Sequence, residues 1–273
     1  MQHHELPIGV FDSGVGGLTV LAALRERLPD ERFIYLGDTA RLPYGTKSAD
    51  SVSRYSTQAA RFLLERGVKY LVIACNTASA VGVEAVREQL APLPVIGVIE
   101  PGASAGCAAS QTGQIAVIAT EATVQGGAYQ RAISRIRPHA TVVARACSLF
   151  VGLAEEGWVD GPVVEAAIHR YLGGMFEQQP GLDTLVLGCT HFPLLFDALR
   201  AAVKPSVRIV DSAATTATAV AEDLLVRGLR APPGRGGALT LLATDGPERF
   251  ARVGGRFLGT VLTPQQIELV DLT

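Results

Sequence analysis

The chain is nearly without lysine: Lys47, Lys69 and Lys204 are the only three among its 273 residues. None sits where a Schiff base would be expected, which argues against pyridoxal phosphate chemistry. Arginines form no cluster that would compensate, and the formal net charge is −2. With no basic patch there is no electrostatic footprint for nucleic acid or an anionic membrane surface, so neither partner is expected to bind directly. Long apolar runs are missing too. The longest charge-free stretch, 101–120, is long enough to span a bilayer but is interrupted by Gly, Ser, Gln and Thr. The first apolar run, 8–11, is too short for a signal h-region and has no basic n-region before it. A cytoplasmic location is the expectation.

Cysteine is scarce and scattered. Cys75, Cys107, Cys147 and Cys189 show no C-x-x-C spacing, which disfavours a disulfide framework and a zinc site. Reduced thiols are expected. Cys189-Thr190-His191 offers two metal-ligand types, but Cys75 has no histidine nearby, so no metal is expected. No Walker A sequence occurs. The glycine stretch Gly14-Val15-Gly16-Gly17 has Thr19 where a dinucleotide fingerprint needs its third glycine, and no acidic ribose partner follows in strand context. No cofactor is expected.

What the chain does contain is apolar substance, 48% of residues against 18% charged, enough for a large buried core. Short apolar strands alternate with helical segments. Strands are expected at 8–11, 33–36, 70–74 and 95–99, then at 114–119, 141–144, 184–187 and 207–210, with one more at 239–243. Helices fill the intervals, among them 18–28, one begun by Ser48 or Ser51, one running through Ile136, and one at 247–258. Two series of four strands separated by helices predict an α/β fold: two doubly wound parallel-sheet lobes related by pseudo-symmetry. The final segment is too small for its own core. The expected lobes are therefore 1–98 plus 212–273, carrying Cys75, and 99–211, carrying Cys189.

Both cysteines follow a strand and precede a segment able to start a helix: Ala74-Cys75-Asn76-Thr77 and Gly188-Cys189-Thr190-His191. The carboxyl ends of parallel strands are where open α/β sheets place ligands. A cysteine in isolation is more often a buried structural residue, but two in matched settings point to a pair of working thiols. A helix N-terminus after each would favour the thiolate, and lowering a thiol from about 8.5 to about 7 needs only about 2 kcal/mol. Asp12 or Glu100 for Cys75, and His191 or Glu155 for Cys189, are the expected tuning partners. Asp12-Ser13, Tyr44-Gly45, Asn76-Thr77 and Thr190-His191 all fall on loops after strands. Hydroxyls, an amide and backbone N–H groups there can cage carboxylates without Lys or Arg.

Phe11-Asp12-Ser13-Gly14-Val15-Gly16-Gly17-Leu18-Thr19-Val20, the 37–47 loop with Pro43-Tyr44-Gly45, the 74–77 segment and the 187–193 segment together resemble the glutamate racemase family of the cofactor-independent aspartate/glutamate racemase superfamily. The resemblance runs from about residue 8 to the C-terminal segment. It departs from the usual pattern at Ser148, Gly152, Ala119 and Gly126. It implies two α/β lobes with the site between them, and interconversion of L- and D-glutamate that supplies D-glutamate for peptidoglycan. Cys75 and Cys189 are implied as acid/base thiols, with Asp12 and His191 beside them in catalysis. Substrate contacts are implied at Asp12, Ser13, Tyr44, Gly45, Asn76, Thr77, Thr190 and His191, with support from Pro43, Thr120, Thr123 and Glu155. Racemisation of aspartate, isomerisation or decarboxylation of a related diacid, and a non-catalytic amino-acid-binding protein are the competing readings. A homodimer is left open.

Overall fold

The computed structural model describes residues 3–272. Its first strands and helices are β1 (Ile8–Asp12), α1 (Leu18–Arg27), β2 (Phe33–Gly37), α2 (Ala49–Glu65), β3 (Tyr70–Ile73), α3 (Asn76–Leu90) and β4 (Val95–Gly97). There follow α4 (Ile99–Ala109), β5 (Gln114–Ala119), α5 (Glu121–Gln125), α6 (Ala128–Ile136), β6 (Thr141–Ala146), α7 (Leu149–Glu156), α8 (Gly161–Leu172), α9 (Met175–Gln178) and β7 (Thr184–Gly188). The chain continues through α10 (Phe196–Ala202), β8 (Arg208–Asp211), α11 (Ser212–Val226), β9 (Leu239–Ala243), α12 (Pro247–Leu258) and β10 (Ile267–Leu269).

The strands form two wholly parallel sheets, β10-β9-β2-β1-β3-β4 and β6-β5-β7-β8. The order 2-1-3-4 of the first four strands is repeated by the next four, so β1 corresponds to β5 and β3 to β7. β1 and β7 are buried along their whole length, as strands covered on both faces must be. Each sheet has an apolar cluster on each face. Helices α1, α11 and α12 cover one face of the first sheet and α2 and α3 the other, whereas α7, α8 and α10 cover one face of the second and α4 and α6 the other. Among the described residues no helix is long and apolar enough to cross a membrane; the charge-free stretch 101–120 becomes most of α4 together with β5.

Three local expectations are corrected. The strand at 95–99 stops at Gly97, and Ile99 opens α4, because Pro101 is tolerated in a first helical turn, whose N–H groups lack intrahelical partners. The Ser79 hydroxyl secures the corner, donating to the Ile73 carbonyl and accepting from the Val98 N–H. The helix expected through Ile136 is two, parted at Gly127, whose φ of 63° suits a residue without a side chain. β10 was not expected; it is a three-residue edge strand after a capped turn at Thr263.

The segment after α11 is tied down by one buried ion pair. Lys69 Nζ meets Glu31 Oε2 at 2.5 Å, with both side chains almost fully buried, and the other carboxylate oxygen accepts from the Ala231 N–H. Lys69→Met would leave the Glu31 carboxylate buried beside an apolar chain. We expect a loss of about 3–5 kcal/mol in stability, read as a lowered midpoint in urea.

Candidate active site

In a doubly wound sheet the crevice lies where the strand order reverses, outside the carboxyl ends of the strands. That point falls between β1 and β3 in the first sheet and between β5 and β7 in the second. The loops after these four strands carry Asp12-Ser13, Cys75, Thr120 and Cys189. Cys75 and Cys189 line one cavity of about 230 Å³, with Ser13, Tyr44, Asn76, Thr77, Thr120 and His191 among its other walls. This is smaller than the roughly 300–1,000 Å³ typical of drug-sized ligands and suits a small metabolite. A larger hollow of about 680 Å³, between α8 and α10, contains no cysteine.

On the first sheet's side, Cys75 caps α3. Its sulfur accepts from the Ala78 N–H at 3.4 Å, and its thiol donates to the Ser13 hydroxyl at 3.4 Å. Burial and the nearby Asp12 charge outweigh these contacts and push the thiol up to about 12. A helix N-terminus was expected to lower it; desolvation, which disfavours the anion, prevails at this buried position. Asp12 sits behind the cavity wall, 1% exposed, accepting from the Gly14 N–H at 2.8 Å. Its carboxyl is raised chiefly by burial, against the pull of the His191 charge. Glu100, expected beside Cys75, instead faces solvent and pairs with Arg87 and Arg135.

On the second sheet's side a short 3₁₀ turn, Phe192–Leu195, follows the cysteine segment, and α10 begins only after it. Cys189 therefore does not cap an α-helix. Its partner is His191, with Nδ1 at 3.8 Å from the sulfur and Nε2 donating to Glu155 Oε1 at 3.0 Å. Burial disfavours the cation, but the Cys189 and Glu155 contacts prevail and raise His191 to about 10. Glu155 is likewise opposed by burial, yet His191 and Arg249 hold it at about 2. Glu155 thus acts on the histidine and reaches Cys189 only through it.

The other expected residues divide by what their polar atoms do. The Tyr44 hydroxyl is spent on Asp38, so Tyr44 presents its ring to the cavity, with Pro43 and Gly45 alongside. Thr77, Thr120 and Thr123 bring their hydroxyls together at 3.0–3.4 Å, joining α3 to the turn after β5; Thr123 lies outside the wall. The Thr190 carbonyl accepts from the Thr19 hydroxyl, and its own hydroxyl faces the cavity near His191. Asn76 is 3% exposed, and its Nδ2 has no hydrogen-bond partner. Tyr129 fixes that amide, its hydroxyl donating to Asn76 Oδ1 at 2.9 Å. Neither Tyr129 nor Arg249 was expected. Tyr129 lies on the buried face of α6, where the periodicity reports only core packing, and Arg249 is 94 positions from Glu155.

Among the described residues, no Lys or Arg lines the cavity and no cluster could hold a metal ion. One thiol from each sheet, at corresponding strand ends, lines the same small cavity. The chain belongs to the Asp/Glu/Hydantoin racemase family, whose model matches residues 18–220.

Within that class its similarity is to glutamate racemases, which makes it an isomerase. It is 51% identical to the glutamate racemase of Geobacter metallireducens over 252 residues, covering 92% of each chain. The crystal structure of glutamate racemase from Francisella tularensis in complex with D-glutamate matches with a TM-score of 0.90 at 37% identity over 98% of both chains. That of the Thermus thermophilus glutamate racemase, in complex with β-chloro-D-alanine, matches with a TM-score of 0.87 at 43% identity over 98% of both.

Proposed function

We propose that the enzyme interconverts L- and D-glutamate by a two-base mechanism in which Cys75 and Cys189 exchange roles, without a cofactor. The observation that carries this reading is the pair of thiols, one from each sheet, in a single cavity. Inverting the α-carbon needs a base on one face and an acid on the other. A thiolate takes the α-proton and becomes a thiol; the electron pair stays on the α-carbon and its carboxylate. The opposite thiol gives its proton to the other face and becomes the thiolate. One proton is thus shared between two sulfurs, and the pair titrates together. Burial favours the neutral form of the Cys75 thiol, while the Cys189 sulfur lies 3.8 Å from His191 Nδ1.

The carbanionic transition state needs preorganised donors in a dry site. The unpaired Asn76 Nδ2, the amino terminus of α3 and the hydroxyls of Thr77 and Thr120 supply donors for carboxylate oxygens without a Lys or Arg. Tyr129 keeps the Asn76 amide turned so that its NH₂ stays free. Tyr129→Phe is expected to raise KM for glutamate about 5–10-fold, the equivalent of one hydrogen bond, with kcat nearly unchanged in steady-state kinetics. The lobes we assign are 1–98 with 212–273, and 99–211, each carrying one thiol. D-glutamate made this way in the cytoplasm would feed peptidoglycan synthesis.

The test follows circular dichroism of L- and D-glutamate, and of L-aspartate, with extensively dialysed enzyme. Racemisation of glutamate is expected from both sides. Activity lost on dialysis and restored by a cofactor, or faster turnover of aspartate, would overturn the reading.

A further inference from the structure

Helix α12 belongs to the first sheet, where Phe250, Ala251, Val253, Phe257 and Leu258 are buried and pack with α1. The helix also makes contacts that its core packing does not require: two reach the second sheet's helix α7, and a third reaches His191 in the loop after β7. Arg249 Nη2 meets Glu155 Oε2 at 2.8 Å. Two turns further along the same face, Arg256 Nη1 donates to the Glu155 carbonyl at 2.8 Å. Next to it, the Phe257 ring lies edge-on to the His191 imidazole, with centroids 5.0 Å apart. All three contacts converge on Glu155 or on the histidine it holds.

The two oxygens of Glu155 are divided. Oε1 accepts from His191 Nε2 and Oε2 from Arg249, so the carboxylate bridges a surface cation and a nearly buried one. An ion pair with a half-exposed arginine contributes little stability. Its leverage is on direction instead: a carboxylate clamped at one oxygen cannot swing the other away from the imidazole. Among the described residues, Nδ1 of the imidazole in turn meets only the Cys189 sulfur and the Thr190 hydroxyl.

We propose that Arg249 is a positioning residue for the second thiol, fixing Glu155 so that His191 stays aligned on Cys189. This rests on the two-thiol reading. Because Arg249 and Glu155 lie on helices packed on different sheets, the aligned arrangement exists only while the two sheets' helices are in contact. Closing the site and setting the acid/base machinery are then one event. Arg256, which touches only the backbone of Glu155, joins the same two helices without acting on the carboxylate.

The experiment is a double-mutant cycle on steady-state racemisation. Arg249→Ala is expected to lower kcat about 10-fold with KM changing less than about 2-fold, in line with the cost of misplacing a catalytic group. Arg249→Lys, which restores the cation, should recover at least half of the activity. In a Glu155→Gln background, Arg249→Ala should add almost nothing, whereas any effect of Arg256→Ala should persist. Wild-type kcat in Arg249→Ala, or fully additive losses with Glu155→Gln, would overturn the proposal. Cys189→Ser is assayed alongside: if it racemises normally the two-thiol reading fails, and if it is inactive while Arg249→Ala is normal only the positioning role fails.

Discussion

Replacing Cys75 or Cys189 with serine is expected to lower racemisation of glutamate by about 10²–10⁴-fold, the range for losing a general acid or base. A serine hydroxyl keeps the size and the hydrogen bond to Ser13 or His191, but it ionises far less readily than a thiol. Each variant retains one working sulfur. Each should therefore still exchange the α-proton of one enantiomer with solvent while failing to invert it, and the enantiomer should differ between the two variants. Enantiomers have equal free energies, so kcat/KM must be the same in both directions for any variant. The unequal surroundings of the thiols, Asp12 and Ser13 against His191 and Glu155, must show elsewhere, in primary isotope effects that differ with direction. NMR of the α-proton in D₂O reads the exchange, and α-deuterated substrates read the isotope effects. Identical effects in both directions would count against unequal thiols.

Gly16→Ala should be the most damaging change at a residue that performs no chemistry. A methyl at Gly16 would lie well inside contact distance of the His191 ring and the Thr190 hydroxyl. The backbone there does not need a glycine, as its φ is not positive; only the space does. Relief requires moving the histidine off the line between Cys189 and Glu155. A displacement approaching 1 Å costs about 10²-fold in rate, and we expect a loss of that order in kcat with the fold intact by circular dichroism. Gly14→Ala is the control, since the nearest atom to its methyl would be a Leu42 side-chain carbon at 3.5 Å. It should stay within about 3-fold of wild type, because that separation is ordinary van der Waals contact and nothing has to move.

The sequence made the strand-borne parts of this architecture readable and left the packed parts hidden. β1, β3, β5 and β7 are short apolar runs bounded by Gly, Asp, Cys or Thr, and the periodicity and the polar loops after them announce both the sheets and the site. Thr190 and Asn76 are visible in the same way. Glu100 misled because a strand read as 95–99 puts it directly at a carboxyl end; Pro101 permitted a helix start at Ile99 instead, and the carboxylate turned outward. Tyr129 and Arg249 could not be found by spacing. Each contributes through one atom that meets a partner on another element, and its own local pattern is fully accounted for by an amphipathic helix. The thiol environment was misjudged for a related reason. A helix N-terminus is legible in a sequence, but burial beside Asp12, which prevails at Cys75, is a property of the assembled fold.

The central claim, that two different groups serve the two faces of the α-carbon, is tested most directly by the early fate of hydrogen during turnover of L-glutamate in D₂O. With two thiols, the proton removed and the deuteron delivered reside on different sulfurs. The first D-glutamate formed should carry deuterium at the α-carbon while the remaining L-glutamate stays protiated. A single group serving both faces would return the original proton to the product and put deuterium into the unreacted L-glutamate at a comparable rate, and that result would contradict the account.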